Sequence, residues 1–228
     1  LMKSSVITFP GSNCDRDIDV ALKKFGFKNK MVWHNEIELP KSDLIVLPGG
    51  FSYGDYLRCG SMASKSKIMK SIINFANSGG MVMGICNGFQ ILVEAGLVPG
   101  VLLRNKYLEF ICKNVFVKIN NKKNTYFKNI DSDVLEFHIA HNEGNYFCTK
   151  DQLKEIEDNE QIAITYCDKE GITKDQFNPN GSIKNIAGIF NKEKNILGMM
   201  PHPERMIDPL LSGEDGSLFF NNLINNLK

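Results

Sequence analysis

The sequence lacks several features that would settle its role at once. It has no surplus of charge: 27 Lys and Arg face 26 Asp and Glu, a formal net charge of +1. So balanced a composition offers no electrostatic attraction to nucleic acid or to an anionic membrane, and neither partner is expected. No apolar run approaches the roughly 20 residues that span a bilayer, and no signal-peptide pattern opens the chain. The expected location is cytoplasmic. The cysteines at 14, 59, 86, 112, 148 and 167 include no CxxC pair, so neither a zinc site nor a thioredoxin-type redox motif is suggested. A P-loop, an internal repeat, a low-complexity tract and a flexible linker are all absent. The 228 residues are therefore expected to form one domain, 1–228.

What is present is an alternation of short apolar runs with helix-period segments. SSVITF (Ser4–Phe9) reads as a strand. The helix after it has Ile18, Ala21, Leu22 and Phe25 on one face and is stopped at Gly26. KMVW (Lys30–Trp33) and DLIVL (Asp43–Leu47) are further strands. A helix is predicted from about Lys65 to Asn77, then a strand MVMGI (Met81–Ile85) and a helix over NGFQILVEA. From about Lys106 to Phe190, strand-like pieces such as NVFVKI and QIAITY are separated by polar loops. NILGMM (Asn195–Met200) returns to the earlier pattern, and GSLFFNNLINNL closes the chain as a helix. Uninterrupted apolar strands between helices predict an α/β fold: a mostly parallel open sheet with helices on both faces, plus a small antiparallel section.

Within that frame, G-I-C-N-G stands between a strand and a helix, the arrangement of a nucleophile elbow. A sharp strand-to-helix turn strains the backbone at the nucleophile, so small residues are needed two positions before and after it; Gly84 and Gly88 supply them. The side chain of Cys86 then stands at the carboxyl edge of the sheet, where open α/β folds bind ligands. The N-terminal end of the next helix favours a negative thiolate and offers N–H groups to an oxyanion.

A thiol nucleophile needs a base, and the base needs an orienting group. His202, in MMPHPER, follows the last apolar strand and so falls on the same edge. Pro201 and Pro203 hold the segment extended, which turns His202 and Glu204 to one side. A lone histidine after a strand is more often structural. One clamped by prolines, with Glu at i+2 and an elbow cysteine upstream, reads as the catalytic set Cys86, His202 and Glu204. The glycine-rich PGGFSYGDYLRCG opens on the same edge. Its backbone N–H groups at Gly50 and Phe51 are candidates to join that of Asn87 in an oxyanion hole.

GxCxGxQ, an upstream PGG loop and a downstream HPE, in this order, resemble the class I (triad-type) glutamine amidotransferases, and a flavodoxin-like sheet is what that resemblance implies. PGSNCDRD, GGFSYGDYLRCG, GICNGFQILVEAGLVPG, AHNEGNY, NPNGS and GMMPHPER, with FIC and IAGI, are similar to the glutaminase-subunit family of phosphoribosylformylglycinamidine synthases, over Val6 to Arg205. The resemblance implies that Cys86 attacks the amide of L-glutamine to form a γ-glutamyl thioester, with His202 as base then acid and Glu204 holding it. Gln90 would help to bind the glutamine, and His141 and Glu143 would face the substrate or a partner. Ammonia would pass to a large synthetase subunit, with a small accessory subunit beside it. ATP and Mg would be used there for purine biosynthesis, with no cofactor in this chain.

Two positions depart from that family pattern: Glu109, where a basic residue is expected, and Asn142, where glycine is common. The PGG loop and the segment Asn105 to Phe110 are expected close to the docking face. His34 is expected at the surface, His138 has no assignment, and the other five cysteines are expected to be packing residues. The competing readings are an amidotransferase serving a synthetase that makes guanylate, anthranilate or carbamoyl phosphate, a cysteine peptidase or chaperone with a related elbow, and a regulatory subunit with a relic site. The FSYGDYLRCG and AHNEGNY segments oppose the first, the HPE segment the second, and the intact set of three the last.

Overall fold

Leu44, Ile45, Val46 and Leu47 are consecutive and completely buried, which requires a strand covered on both faces. The computed structural model, which describes residues 1–227, builds this strand into a nine-stranded sheet. In chain order the strands are β1 (Lys3–Thr8), β2 (Lys28–Trp33), β3 (Leu44–Leu47), β4 (Met81–Ile85), β5 (Val101–Leu103), β6 (Ile111–Ile119), β7 (Val134–His141), β8 (Asn145–Phe147), β9 (Ile162–Cys167), β10 (Ile186–Phe190) and β11 (Ile196–Met199). The helices are α1 (Asp15–Lys24), α2 (Met69–Asn77), α3 (Asn87–Glu94), α4 (Lys150–Asp158) and α5 (Asp215–Asn226).

The sheet order is β2-β1-β3-β4-β11-β10-β9-β6-β7, with β5 and β8 paired separately. From β2 to β11 the strands run parallel; from β11 to β7 every pairing is antiparallel. The antiparallel section is thus continuous with the parallel one. The parallel strands β3, β4 and β11 lie side by side, so the loops that follow them emerge together at one edge.

The helices end where the glycines predicted. At the end of α1, Gly26 (φ +92°) donates to Lys23 O and Phe27 to Leu22 O, the paired bonds that let a left-handed residue satisfy the last carbonyls. Ile18, Ala21 and Leu22 of α1 are buried as its spacing predicts, and Phe25 stacks on Phe220 of α5 with ring centroids 5.5 Å apart.

Two expectations need correction. Helix α2 begins at Met69, not near Lys65. Ala63–Lys65 forms a separate 3-10 turn, and Ser66 is extended (φ −63°, ψ 152°), which breaks the helical path between them. The polar stretch read as loop at 150–158 is α4. Thr149 and Gln152 form a reciprocal capping box, but Leu153 and Ile156 are the only apolar residues of α4, so its apolar stripe is short.

Opposite the functional edge, Tyr126 closes the sheet. It is fully buried, and its hydroxyl donates to Val82 O (2.7 Å) and Asn195 O (2.9 Å) at the starts of β4 and β11. Tyr126→Phe removes a buried donor shared by two carbonyls and is expected to lower stability by about 1–3 kcal/mol, measured as the shift in urea unfolding. No shift would mean that water replaces the hydroxyl.

Candidate active site

The backbone of Cys86 sits at φ 51°, ψ −107°, a region that residues with a Cβ rarely occupy. The surroundings enforce it. Its N–H donates to Met199 O of β11 (2.8 Å) and its carbonyl accepts from Gln90 N (3.1 Å), so the turn is pinned at both ends. The two flanking glycines are steric necessities: a Cβ at Gly84 would lie 2.6 Å from Gly88 O, and one at Gly88 only 1.9 Å from Leu47 O of β3. Helix α3 therefore packs backbone to backbone on the sheet, which holds the cysteine over its edge.

His202 lies beyond β11 and joins the site through backbone as well as side chain. Its N–H donates to His138 O (2.8 Å) within β7. Its Nδ1 is 2.6 Å from Glu204 Oε1, both side chains being almost wholly buried. With the carboxylate accepting at Nδ1, the other ring nitrogen, which has no protein partner, is left for chemistry. Gly49 lets the ring approach the thiol. A Cβ there would come within 2.7 Å of His202 Cε1 and 3.4 Å of Cys86 Cβ.

Burial alone would push the imidazole of His202 down from 6.5; the charges of Glu204 and of the neighbouring Cys86, with the hydrogen bond to Glu204, more than offset this and raise it to about 10. A protonated imidazole beside Cys86 is the counter-ion a thiolate needs. Cys14, also near Gly49, is the contrasting case. Burial and the charge of Glu204 push its thiol up to about 12, although Arg205 lies against it with Nη2 at 3.1 Å from Sγ. It stays a neutral thiol behind the site, a placement that no sequence signal revealed.

The other predicted residues separate into those with open groups and those already engaged. Asn87 is the first residue of α3, so its N–H has no intrahelical acceptor. Phe51 N–H is donated to Gly11 O at 3.0 Å, which withdraws it from the predicted oxyanion hole and leaves Gly50 and Asn87 as candidates. Gln90 is clamped at both ends of its amide, donating to Glu143 O and accepting from Asn87 Nδ2, each at 2.8 Å. His141 is turned by Asn105. The amide of Asn105 donates to the carbonyls of Glu109 and His141, so its oxygen must accept from His141 Nδ1 at 3.1 Å. Burial, and the charge of His202, push His141 down to about 4; it is neutral.

Cys86, Gln90, His141 and Glu143 all line one cavity of about 210 Å³, large enough for a single amino acid and shared with Asp55 and Arg104. Gly49, Asp55 and Arg104 are the residues sequence reasoning missed. Asp55 lies within GGFSYGDYLRCG, where the glycines carry the local signal, and Arg104 has no local signal of its own. Glu109 is exposed. Asn142 lacks the positive φ that would call for glycine, and its carbonyl accepts from Asn105 N at 2.9 Å.

Three further expectations are corrected. His34 is partly buried, its Nδ1 2.9 Å from the Tyr53 hydroxyl. Cys59 lines the cavity and Cys112 is exposed, so neither is a core-packing residue. Among the described residues no His, Cys, Asp and Glu are grouped to hold a metal, and no helix is long and apolar enough to cross a membrane.

The geometry carries a pH prediction. Because His202 is raised from 6.5 to about 10, its contacts stabilise the fold fully below pH 6.5, and that stability is lost as pH rises through about 10. Glu204→Gln removes the main charge that raises it. The gap in urea midpoint between wild type and Glu204→Gln is expected to be widest at neutral pH or below and to narrow toward pH 10. A gap constant across that window would show that the imidazole is not held charged. The elbow carries a second prediction: Gly88→Ala, which would place a Cβ 1.9 Å from Leu47 O, is expected to cost more than about 3 kcal/mol or prevent folding. A thermal scan near wild type would contradict the close packing.

Comparison with known proteins agrees with this geometry. Residues 2–213 match the model of the CobB/CobQ-like glutamine amidotransferase domain family. Phosphoribosylformylglycinamidine synthase subunit PurQ of Pelagibacter ubique is 79% identical over 227 residues, covering 100% of both chains. The subunit of the same name from Synechocystis is 52% identical over 217 residues, covering 94% of this chain and 97% of its own. The structure of PurLQS from Thermotoga maritima contains a chain similar at TM-score 0.88 and 39% identity, over 100% of this chain and 99% of that one. A glutamine amidotransferase of T. maritima, at TM-score 0.64 and 15% identity over 100% of this chain and 98% of its own, shares the fold alone. The chain belongs to the CobB/CobQ-like glutamine amidotransferases and, within them, to the glutaminase (PurQ) subunits of phosphoribosylformylglycinamidine synthase.

Proposed function

We propose that this chain, acting as one catalytic domain, hydrolyses L-glutamine to glutamate and delivers the ammonia to a synthetase subunit. That subunit uses ATP and Mg to convert formylglycinamide ribonucleotide to its amidine, in purine biosynthesis. The observation that carries the reading is a cysteine forced into a positive-φ elbow beside a histidine held by Glu204. The 79% identity over the full length of the Pelagibacter subunit supports the pathway, and PurLQS supports a partner set of PurL with the small PurS. No cofactor is assigned to this chain, and a cytoplasmic location goes with a biosynthetic role.

Catalysis follows from the placement. Cys86 Sγ, as thiolate, attacks the side-chain carbonyl carbon of glutamine. The oxyanion that forms is stabilised by the N–H groups of Asn87 and Gly50. The imidazolium of His202 gives its proton to the departing nitrogen, the carbon–nitrogen bond breaks, and ammonia leaves with a γ-glutamyl thioester on Cys86. The neutral imidazole then takes a proton from water as the water adds to the thioester. When the carbon–sulfur bond breaks, glutamate departs and the thiolate–imidazolium pair is restored. Glu204 keeps the ring's orientation and offsets its charge at each step.

Glutamate release is expected to rise strongly when PurL, PurS, ATP and formylglycinamide ribonucleotide are added, and to fall by about 10⁴-fold or more in Cys86→Ala. Ammonium salts should restore amidine formation to the Cys86→Ala complex, since the synthetase is untouched. Glutaminase activity indifferent to the partners would separate the chemistry from this pathway.

A further inference from the structure

Outside the catalytic set, strands β6 and β7 carry a second thiol–imidazole contact. Their antiparallel register sets Cys112 opposite Ala140, Asn114 opposite His138 and Phe116 opposite Glu136. Residues two apart on a strand share a face, as do residues directly opposite one another. Cys112, Asn114, His138 and Glu136 therefore stand on one face of the sheet. They form an unbroken chain of contacts. Cys112 Sγ is 3.5 Å from His138 Nε2, His138 Nδ1 is 3.1 Å from Asn114 Oδ1, and Asn114 Nδ2 is 3.2 Å from Glu136 Oε1.

The carboxylate at one end fixes the direction of every bond. Glu136 can only accept, so Asn114 turns its amide nitrogen to Glu136 and its oxygen to His138. The proton of the neutral ring is thereby held on Nδ1, and the lone pair of Nε2 faces the Cys112 thiol. Burial, and the charges of Arg205 and His202, push this imidazole below 6.5 against the opposing charge of Glu204. At neutral pH it is free to accept a proton. Both β7 residues are also anchored through their backbones: Glu136 N–H donates to Asp215 Oδ2 (2.7 Å) and His138 O accepts from His202 N–H (2.8 Å). A nucleophile, a base and a group that orients the base are thus present in order, and the thiol is exposed.

Cys112 and Asn114 line an open groove of about 920 Å³, together with Lys113, Lys169, Glu170 and Phe177. Its volume lies within the roughly 300–1,000 Å³ of small-molecule sites, and its lining offers both signs of charge beside an aromatic ring. We infer that Cys112 is a modification site, where His138 acts as general base for thiol–disulfide exchange with a low-molecular-weight peptide disulfide. The thiol proton passes to His138 Nε2, and Cys112 Sγ attacks one sulfur of the disulfide. The sulfur–sulfur bond of the reagent breaks as the new one forms, and the departing thiolate takes the proton back from His138. Cys112 is oxidised to a mixed disulfide, and the reagent is reduced to one free thiol. The inference is independent of the glutaminase reading of Cys86.

The test incubates the full chain with glutathione disulfide at neutral pH, quenches samples in acid and digests them with trypsin. Mass spectrometry then follows the glutathionyl adduct on the peptide Tyr107–Lys113, whose one cysteine is Cys112. The synthetic peptide of that sequence, treated alike, gives the rate of the same thiol without its neighbours. An unassisted thiol is only a few per cent thiolate at neutral pH, so the folded chain is expected to react about 10-fold faster than the peptide. His138→Gln is expected to bring the folded chain down to the peptide's rate. A wild-type rate no higher than the peptide's would overturn the inference. A fast rate that survives His138→Gln would do so too, since exposure alone would then account for it. If circular dichroism shows that His138→Gln does not fold, Asn114→Ala decides, at an exposed position. Loss of the rate advantage supports the assignment, and its retention refutes it.

Discussion

The structure depends on one backbone constraint, the left-handed conformation of Cys86 between β4 and α3. A side chain at φ 51° is tolerated only because its N–H is held by Met199 and because Gly88 lets α3 press against Leu47. The same contacts that strain the turn align three strand ends, β3, β4 and β11. Each strand end contributes a part of the site: Gly49 and Gly50 after β3, Cys86 after β4, His202 and Glu204 after β11. The parallel order of these strands, rather than any single residue, is what brings together groups that lie far apart along the chain. The antiparallel half of the sheet then supplies the other wall, with His138 bonded to the backbone of His202 and Ala140 O lying 3.6 Å from the thiol.

Electrostatics explain why one cysteine among six is set apart. Cys86 faces an imidazole that Glu204 helps to keep charged. Cys14 and Cys59, both close to the site, face carboxylates and lose solvent, so their thiols hold their protons. Proximity to the centre is therefore not enough; the sign of the nearest charge decides. Arg205 adds an outer layer, touching Cys14 and lying 3.4 Å from Asp17, which ties the histidine segment to α1.

The parallel core and the grouping of Cys86, His202 and Glu204 were legible because both rest on local patterns. Strand, Gly-x-Cys-x-Gly and helix occupy a dozen consecutive residues, and Pro-His-Pro-Glu carries its own geometry. What escaped notice was non-local. Arg104 reaches the cavity from the segment after β5 and has no neighbours in sequence that announce it. Asp55 is aimed by three positive-φ residues, of which only one is glycine. The Phe51 amide looked open in the motif, and its acceptor, Gly11, comes from a different loop. Helix α4 gives a weak signal for a simpler reason: only Leu153 and Ile156 are apolar, a stripe too short to stand out in a polar stretch.

The central claim is that Cys86 becomes covalently bonded to the side-chain carbonyl carbon of glutamine. Mass spectrometry of the complex, quenched in acid during turnover and digested, measures this directly. The account predicts a γ-glutamyl adduct on the peptide containing Cys86, removed by hydroxylamine as a thioester must be. An adduct on the Cys14 or Cys59 peptide, or turnover with no adduct under conditions that trap thioesters, would contradict it.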